Sequence, residues 1–313
     1  MLKRLAGSGS GARKGRRSIR LAMDLNPFRL CSGLKFLGYF MVGLVLGLIA
    51  VSYYAVVILT LGPDLLHGGF TSLFSILLVA IFHVLLVLLA WSYLMAVFRD
   101  PGAVPPNWKL LPQQDAAETS SSVELNATAI PQFCNRCQNG KPPRCHHCSV
   151  CERCVLKMDH HCIWVVNCVG ARNYKFFLLF LLYTFLETML DTFVLLPGFI
   201  SFFRQAEHHF SSPGELAITF LAFVLNLAFV LSLLCFVVMH ISLLLSNTTS
   251  VEVHEKKKGM PWKYDLGWRK NIEQVFGTRK VLWLFPVFSK EDLERVPALQ
   301  GLDYPTRPDI INV

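Results

Sequence analysis

Four stretches of this 313-residue chain, residues 36–61, 70–98, 176–203 and 216–245, are apolar almost throughout. A helix needs about 20 apolar residues to cross the hydrocarbon core of a bilayer. It also satisfies its own backbone where no water can. Helices this long and greasy rarely build the core of a soluble domain. Composition agrees, since only 16% of residues are charged, against roughly 25% in soluble domains. The first run starts at residue 36 and far exceeds the roughly 7–15 residues of a signal-peptide core, so it is expected to remain as an anchor. The expected fold is an all-α polytopic membrane protein with four transmembrane helices.

Lysine and arginine set the expected orientation. Residues 1–35 hold nine of them, the loop "GPDLLHGG" has none, and "RQAEHHFSSPG" has Arg204 alone. The insert between the second and third runs is rich in them, and the tail carries Lys256, Lys257 and Lys258. Both termini and the insert are therefore expected in the cytosol. This asymmetry accounts for most of the net charge of +9. The basic arm suits anionic lipid, and no nucleic acid is expected as a partner. The expected layout is a basic cytosolic arm (1–35), helices 1 and 2 (36–98), a cytosolic linker (99–130), a cysteine-rich domain (131–175), helices 3 and 4 (176–245) and a cytosolic tail (246–313). No internal repeat stands out. The sequons at Asn126 and Asn247 would be cytosolic and unmodified.

Eight of the ten cysteines lie between Cys134 and Cys168, interleaved with four histidines. Reduced cytosolic thiols at this density read as metal-binding or catalytic rather than as disulfides. The order is Cys134-x2-Cys137, then His146, His147, Cys148-x2-Cys151-x2-Cys154, then Asp159-His160-His161-Cys162, then Cys168. Structural zinc takes four thiolate or imidazole ligands in a closed tetrahedron. The module has little aliphatic content and needs such a staple to fold. Two ions need eight ligands, and twelve candidates are present. The surplus has two explanations. Every side chain could be a ligand or a supporting partner. Alternatively, Asp159, His160 and Cys162 form a reactive set of orienter, base and thiol nucleophile.

At these residues the sequence resembles the cysteine-rich domain of DHHC-type protein S-acyltransferases, the palmitoyltransferases. The flanking "KPPR", "CVLKMDHHC" and "NCVGARNYKFF" fit that resemblance, as do four helices with the domain between the second and third. Three shorter family motifs look like Asp100-Pro101-Gly102, Thr249-Ser250-Val251-Glu252 with Ser in place of Thr, and Asn271 with Phe276. The resemblance implies two structural zinc ions, one held by Cys134, Cys137, His147 and Cys154, the other by Cys148, Cys151, His161 and Cys168. It leaves Cys162 as nucleophile, His160 as general base and Asp159 as its orienter. It implies a two-step reaction in which Cys162 takes a long-chain acyl group from acyl-CoA, palmitoyl-CoA being the expected donor. The group then passes to membrane-proximal cysteines of substrate proteins. Lys141 and Arg144 suit the CoA phosphates, and Trp164 packs beside the reactive centre. The setting implied is a multi-pass protein of the endomembrane system with its catalytic domain in the cytosol.

Ile163 follows the nucleophile where many relatives have proline, and Cys145 and His146 have no ligand role in this scheme. Glu187 and Asp191 stand four apart on one face of the third helix. Acids inside a membrane usually face the bundle interior or water. Glu187 falls about where the family lines its acyl cavity, so it is expected either to modulate chain-length preference or be protonated there, or else to lie near the lumenal end or in an interhelical hydrogen bond. A membrane-anchored zinc-binding adaptor or ubiquitin-ligase-like module would share the metal spacing but has no use for Asp159, His160 and Cys162 as a unit.

Overall fold

A computed structural model describes residues 31–108, 132–203, 212–254 and 262–307. The basic arm, the polar part of the linker with Asn126, and Lys256–Lys258 lie outside the described residues.

Among the described residues, four helices are long and apolar enough to cross a membrane. Helix α1 (Cys31–Tyr53) runs into a π-helical stretch, Tyr54–Leu61, and on into α2 (Gly62–His67). The first span thus continues through Pro63, where the sequence pattern suggested a break. Pro63 comes directly after the π-helical stretch, with Leu61 and Gly62 still in helical backbone, so its missing N–H falls where the regular α-helical bonding is already interrupted. The chain reverses instead at Gly68 and Gly69, with φ of 73° and 77°, a region closed to most side chains. The second span is α3 (Gly69–Phe98), the third α4 (Tyr174–Phe203) and the fourth α5 (Pro213–Leu245). Helix α5 opens on Ser212, whose side chain accepts the Glu215 N–H, with proline inside the first turn.

The cysteine-rich module between the second and third spans is three antiparallel hairpins. They are β1 (Gln132–Cys134) with β2 (Asn139–Lys141), β3 (His146–Cys148) with β4 (Arg153–Val155), and β5 (His160–Cys162) with β6 (Asn167–Val169). Their registers are equivalent: Cys134 faces Asn139, Cys148 faces Arg153 and Cys162 faces Asn167. Each step along the chain is fourteen residues (134, 148, 162). The turn residues keep the same step, with Gln138, Glu152 and Val166 all at φ near 50°. The module is therefore an internal repeat, contrary to the reading of the sequence. Its unit is too short and too variable outside the cysteines to stand out by inspection.

The third hairpin is fastened to the spans. Asn167 Nδ2 lies 2.9–3.2 Å from the carbonyls of Ala96, Val97 and Arg99, which the end of α3 leaves unpaired. Tyr93 of α3 donates its hydroxyl to the Trp164 carbonyl at 3.0 Å. Val166 reaches the first span at Gly38, where an added Cβ would lie 2.5 Å from a Val166 methyl. A core of Tyr93, Ala96, Cys162, Val165, Val169 and Phe177 joins hairpin to helices.

The tail folds back under the module through α6 (Trp268–Phe276), α7 (Lys290–Arg295) and α8 (Pro297–Gln300). Asn271 is fully buried. Its Nδ2 donates to the Leu245 carbonyl at 2.6 Å and to Asp265 at 2.7 Å, which ties α6 to the end of the fourth span.

Candidate active site and metal centres

Each hairpin tip pairs with the next hairpin. Cys134 and Cys137 of the first meet His147 and Cys154 of the second, and Cys148 and Cys151 of the second meet His161 and Cys168 of the third. In each set all four ligand atoms lie within 4.8 Å of one another. A tetrahedral zinc with about 2.3 Å to sulfur and about 2.0 Å to nitrogen would space those atoms by roughly 3.6 Å. The sulfur to Nδ1 distances are 3.6, 3.2 and 3.9 Å around His147. Around His161 they are 3.8, 3.4 and 3.6 Å. Both sets fit a metal ion of that kind.

The repeat explains the surplus thiol. Cys162 occupies the position of Cys134 and Cys148, but its partner three residues on is Val165, where the other tips have Cys137 and Cys151. No fourth hairpin follows to supply a histidine and a cysteine, because the chain enters α4. Cys162 therefore keeps the rigid setting of a ligand without the other three ligands. Cys145 belongs to neither set. It is 2% exposed, and burial pushes its thiol up to about 11.

His160 stands one residue before the ligand His161 and points the other way, because neighbouring strand residues face opposite sides. Its Nδ1 lies 2.6 Å from Asp159 Oδ2. Asp159 is 1% exposed and is fixed from the far side by Ser250. The Ser250 N–H donates to Oδ1 at 2.9 Å, and its hydroxyl to the Asp159 carbonyl at 2.6 Å and to Oδ2 at 3.2 Å. Burial raises the Asp159 carboxyl, but the hydrogen bond and charge of His160, together with the Ser250 N–H, bring it below the ordinary range. Burial pushes His160 down, but Asp159 and the adjacent Cys162 outweigh it and raise the imidazole to about 9. Phe177 of α4 and His240 of α5 frame the ring, with centroids 5.2 and 6.1 Å away. Tyr174 holds His240 Nδ1 at 3.2 Å. The roles of Tyr174, Phe177 and His240 had no local signal. Phe177 on α4 and His240 on α5 meet His160 only in the fold, and Tyr174 acts on it through His240.

Above Cys162 opens a cavity of about 470 Å³ among all four spans, within the roughly 300–1,000 Å³ of small-molecule sites. Its mouth is formed by Asp159, His160, Cys162, Ile163 and Trp164, and its walls include Leu48, Leu86, Phe180, Leu233 and Phe236. Glu187 and Asp191 also line it.

A family model for DHHC palmitoyltransferase matches residues 127–257. Probable protein S-acyltransferase 12 of Arabidopsis thaliana is 61% identical over 289 residues, 91% of this chain and 99% of the relative. Probable protein S-acyltransferase 14 of the same plant is 54% identical over 297 residues, 92% of this chain and 96% of the relative. Palmitoyltransferase ZDHHC15A of Danio rerio is 38% identical over 238 residues, 69% of this chain and 72% of the relative. The chain belongs to the DHHC palmitoyltransferase family.

In this DHHC acyltransferase the other motif residues hold the module in place. Asp100 accepts the Gly102 N–H at 2.7 Å and pairs with Arg153 at 2.8 Å. Glu252 pairs with Arg144. Arg144 was expected at CoA phosphates, but its side chain is 1% exposed. Nε and Nη2 donate to the two Glu252 oxygens at 2.7 and 2.6 Å, and Nη1 and Nη2 to Asn247 Oδ1 and carbonyl at 3.0 and 2.9 Å. The guanidinium also lies between Tyr264 and Tyr304, 4.6 and 5.0 Å from their centroids. It is thus a buried tie between the module and the tail and has no donor edge open for a phosphate. Asn247, the second sequon residue, is 2% exposed and donates to the Tyr264 carbonyl and Gln274. Lys141 is half-buried on β2, and Trp164 is 37% exposed on the cavity wall.

Proposed function

We propose that this protein performs the S-acyl transfer of its family through Cys162, with His160 as general base and Asp159 as the residue that orients it. The observation that carries the reading is the position of Cys162. It is a ligand site lacking its other ligands, beside an aspartate–histidine pair, at the mouth of an apolar cavity. Long-chain acyl-CoA, palmitoyl-CoA foremost, is the donor. Its chain enters the cavity while the thioester meets Cys162. The Cys162 sulfur bonds the carbonyl carbon, the carbon–sulfur bond to CoA breaks, and CoA leaves as a thiol. In the second step the thiol of a membrane-proximal substrate cysteine attacks the acyl carbon, and Cys162 is released. His160 takes the attacking thiol's proton and returns it to the departing sulfur. Two zinc ions at the Cys3His sets hold the hairpins, and through them the Cys162 backbone, in place.

The lysine and arginine asymmetry supports a cytosolic module and tail in a membrane of the endomembrane system. That orientation presents Cys162 to cytosolic CoA. Lys141 and Trp164 are the remaining candidates for contacts to the donor at the mouth. A zinc-binding adaptor would have no use for a cavity that ends on a thiol.

The test is labelled palmitoyl-CoA with the purified protein. Wild type is expected to form a hydroxylamine-sensitive adduct, and Cys162→Ser to form none while keeping two zinc ions per chain. An adduct retained in Cys162→Ser removes the nucleophile, and loss of zinc in that variant makes Cys162 a ligand.

A further inference from the structure

The cavity changes character along its length. Phe177 touches the catalytic imidazole, and Glu187 and Asp191 follow it on the same face of α4 by ten and fourteen residues. At 1.5 Å per residue they lie about 15 and about 21 Å from the mouth. Between the two ends the walls are mainly aromatic and aliphatic, and Thr184 there gives its hydroxyl to the Phe180 carbonyl at 2.7 Å. At the far end Ser52 and Asn226 join the two acids.

Polar neighbours at that end already have partners. Asn226 Nδ2 donates to Ser52 Oγ at 3.0 Å and to the Ala222 carbonyl at 2.9 Å. Thr188 donates to the Thr184 carbonyl of its own helix at 2.8 Å. Glu187 and Asp191 are 5% and 1% exposed. The Ser52 hydroxyl, which also bonds Asn226, is the neighbour within reach of Asp191, and both Glu187 oxygens are left without a hydrogen-bond partner among the described residues. A plain hydrocarbon chain filling the cavity would leave them so, at about 1–3 kcal/mol for each buried unsatisfied group.

Resting on the acyl-transfer reading above, we propose that the far end of the cavity is a recognition pocket for acyl chains bearing a hydroxyl near their far end, with Glu187 and Asp191 as its specificity-determining residues. A hydroxyl donates to a carboxylate, and it both donates to and accepts from a carboxylic acid, so it pairs with either form. A charged chain end would have to cross the apolar gallery, where burying a charge costs far more than burying a hydroxyl. Reach fits as well. With bonds of about 1.5 Å at about 111°, an extended chain advances about 1.25 Å per bond. The two acids then sit about 12 and about 17 bonds from the thioester, which brackets the end of a palmitoyl chain.

The test is competition between ω-hydroxypalmitoyl-CoA and palmitoyl-CoA for single-turnover acylation of Cys162, read by intact mass on the full-length protein. Both adducts form on the same molecules, so their ratio does not depend on the folded fraction. Wild type is expected to favour the hydroxylated donor by about tenfold, the size of one hydrogen bond to a buried charged or polar group. Replacing both acids (Glu187→Leu with Asp191→Leu) shifts the ratio towards palmitoyl by at least that factor. The amide pair (Glu187→Gln with Asp191→Asn) keeps the hydroxyl preference, because an amide oxygen still accepts. A wild type that treats the two donors alike, or a leucine pair that leaves the ratio unchanged, overturns the proposal while acyl transfer stands. Absence of both adducts in wild type overturns the acyl-transfer reading and this proposal together.

Discussion

Removing the Arg144–Glu252 pair should do more harm than any other ion pair described here. Both side chains are almost wholly buried, at 1% and 2% exposure, and their fork is bidentate at 2.6 and 2.7 Å. Arg144→Met leaves a buried carboxylate without its counter-charge and strips two further hydrogen bonds from Asn247. Breaking one side of such a pair costs about 3–5 kcal/mol, whereas replacing both sides with apolar groups is often neutral. The double variant Arg144→Met with Glu252→Leu is therefore expected to recover most of the loss. Arg144→Lys is not conservative, because an ammonium cannot span both carboxylate oxygens. The control is Arg279–Glu291, 56% and 58% exposed, a class of pair worth about 0.2–1 kcal/mol. The assay is denaturant unfolding in detergent followed by tryptophan fluorescence. Trp262 donates to the Asn247 carbonyl at 2.9 Å and reports directly on this junction. Burial raises the Glu252 carboxyl, but the hydrogen bonds and charge of Arg144 bring it below the ordinary range. Its contribution to stability is then complete above the usual glutamate pKa of about 4.3 and is lost as pH falls through the lowered folded value. Wild type should lose this junction in acid, and Glu252→Gln should show no matching step. If Arg144→Met costs no more than Arg279→Met, the tie between module and tail is not what holds the two together.

Cys137→Ser removes one ligand from the first set alone, so metal analysis is expected to fall from two ions per chain to about one. Two ions retained would show that Cys137 is not a ligand. Ser250→Ala deletes the hydroxyl bonds to Asp159 and is expected to slow acylation of Cys162 about five- to tenfold, the worth of about one ordinary hydrogen bond. Ser250→Thr keeps the hydroxyl and should keep the rate. Equal rates in all three proteins would separate Ser250 from the orientation of Asp159.

The spans were legible because the bilayer imposes one length and one composition on each. The first span runs past residue 61 to His67, because its backbone stays helical through Gly62 and Pro63 in the stretch expected as a loop. Spacing identified metal but could not by itself say which thiol was spare. The hairpin register supplies a reason, since Val165 stands where a second tip cysteine would be. Arg144 looked like a phosphate contact because a charge beside a site says nothing of its direction. Its partners lie more than a hundred residues away at Asn247 and Glu252. The approach of His240 to His160 has the same cause, since a strand of the module and the fourth span, far apart in sequence, bring the two rings together.

The Asn167 clamp has a consequence for which thiols can be acylated. Asn167 is the strand partner of Cys162 and is bound to the last carbonyls of the second span. Cys162, the proposed nucleophile, is therefore held at a fixed height relative to the end of that helix, rather than placed by the shape of an approaching protein. Such an arrangement works as a depth gauge. A thiol is in range when its own tether holds it at the same level, whatever residues surround it. Selection by altitude places few demands on sequence, and one enzyme could then serve clients that share no motif.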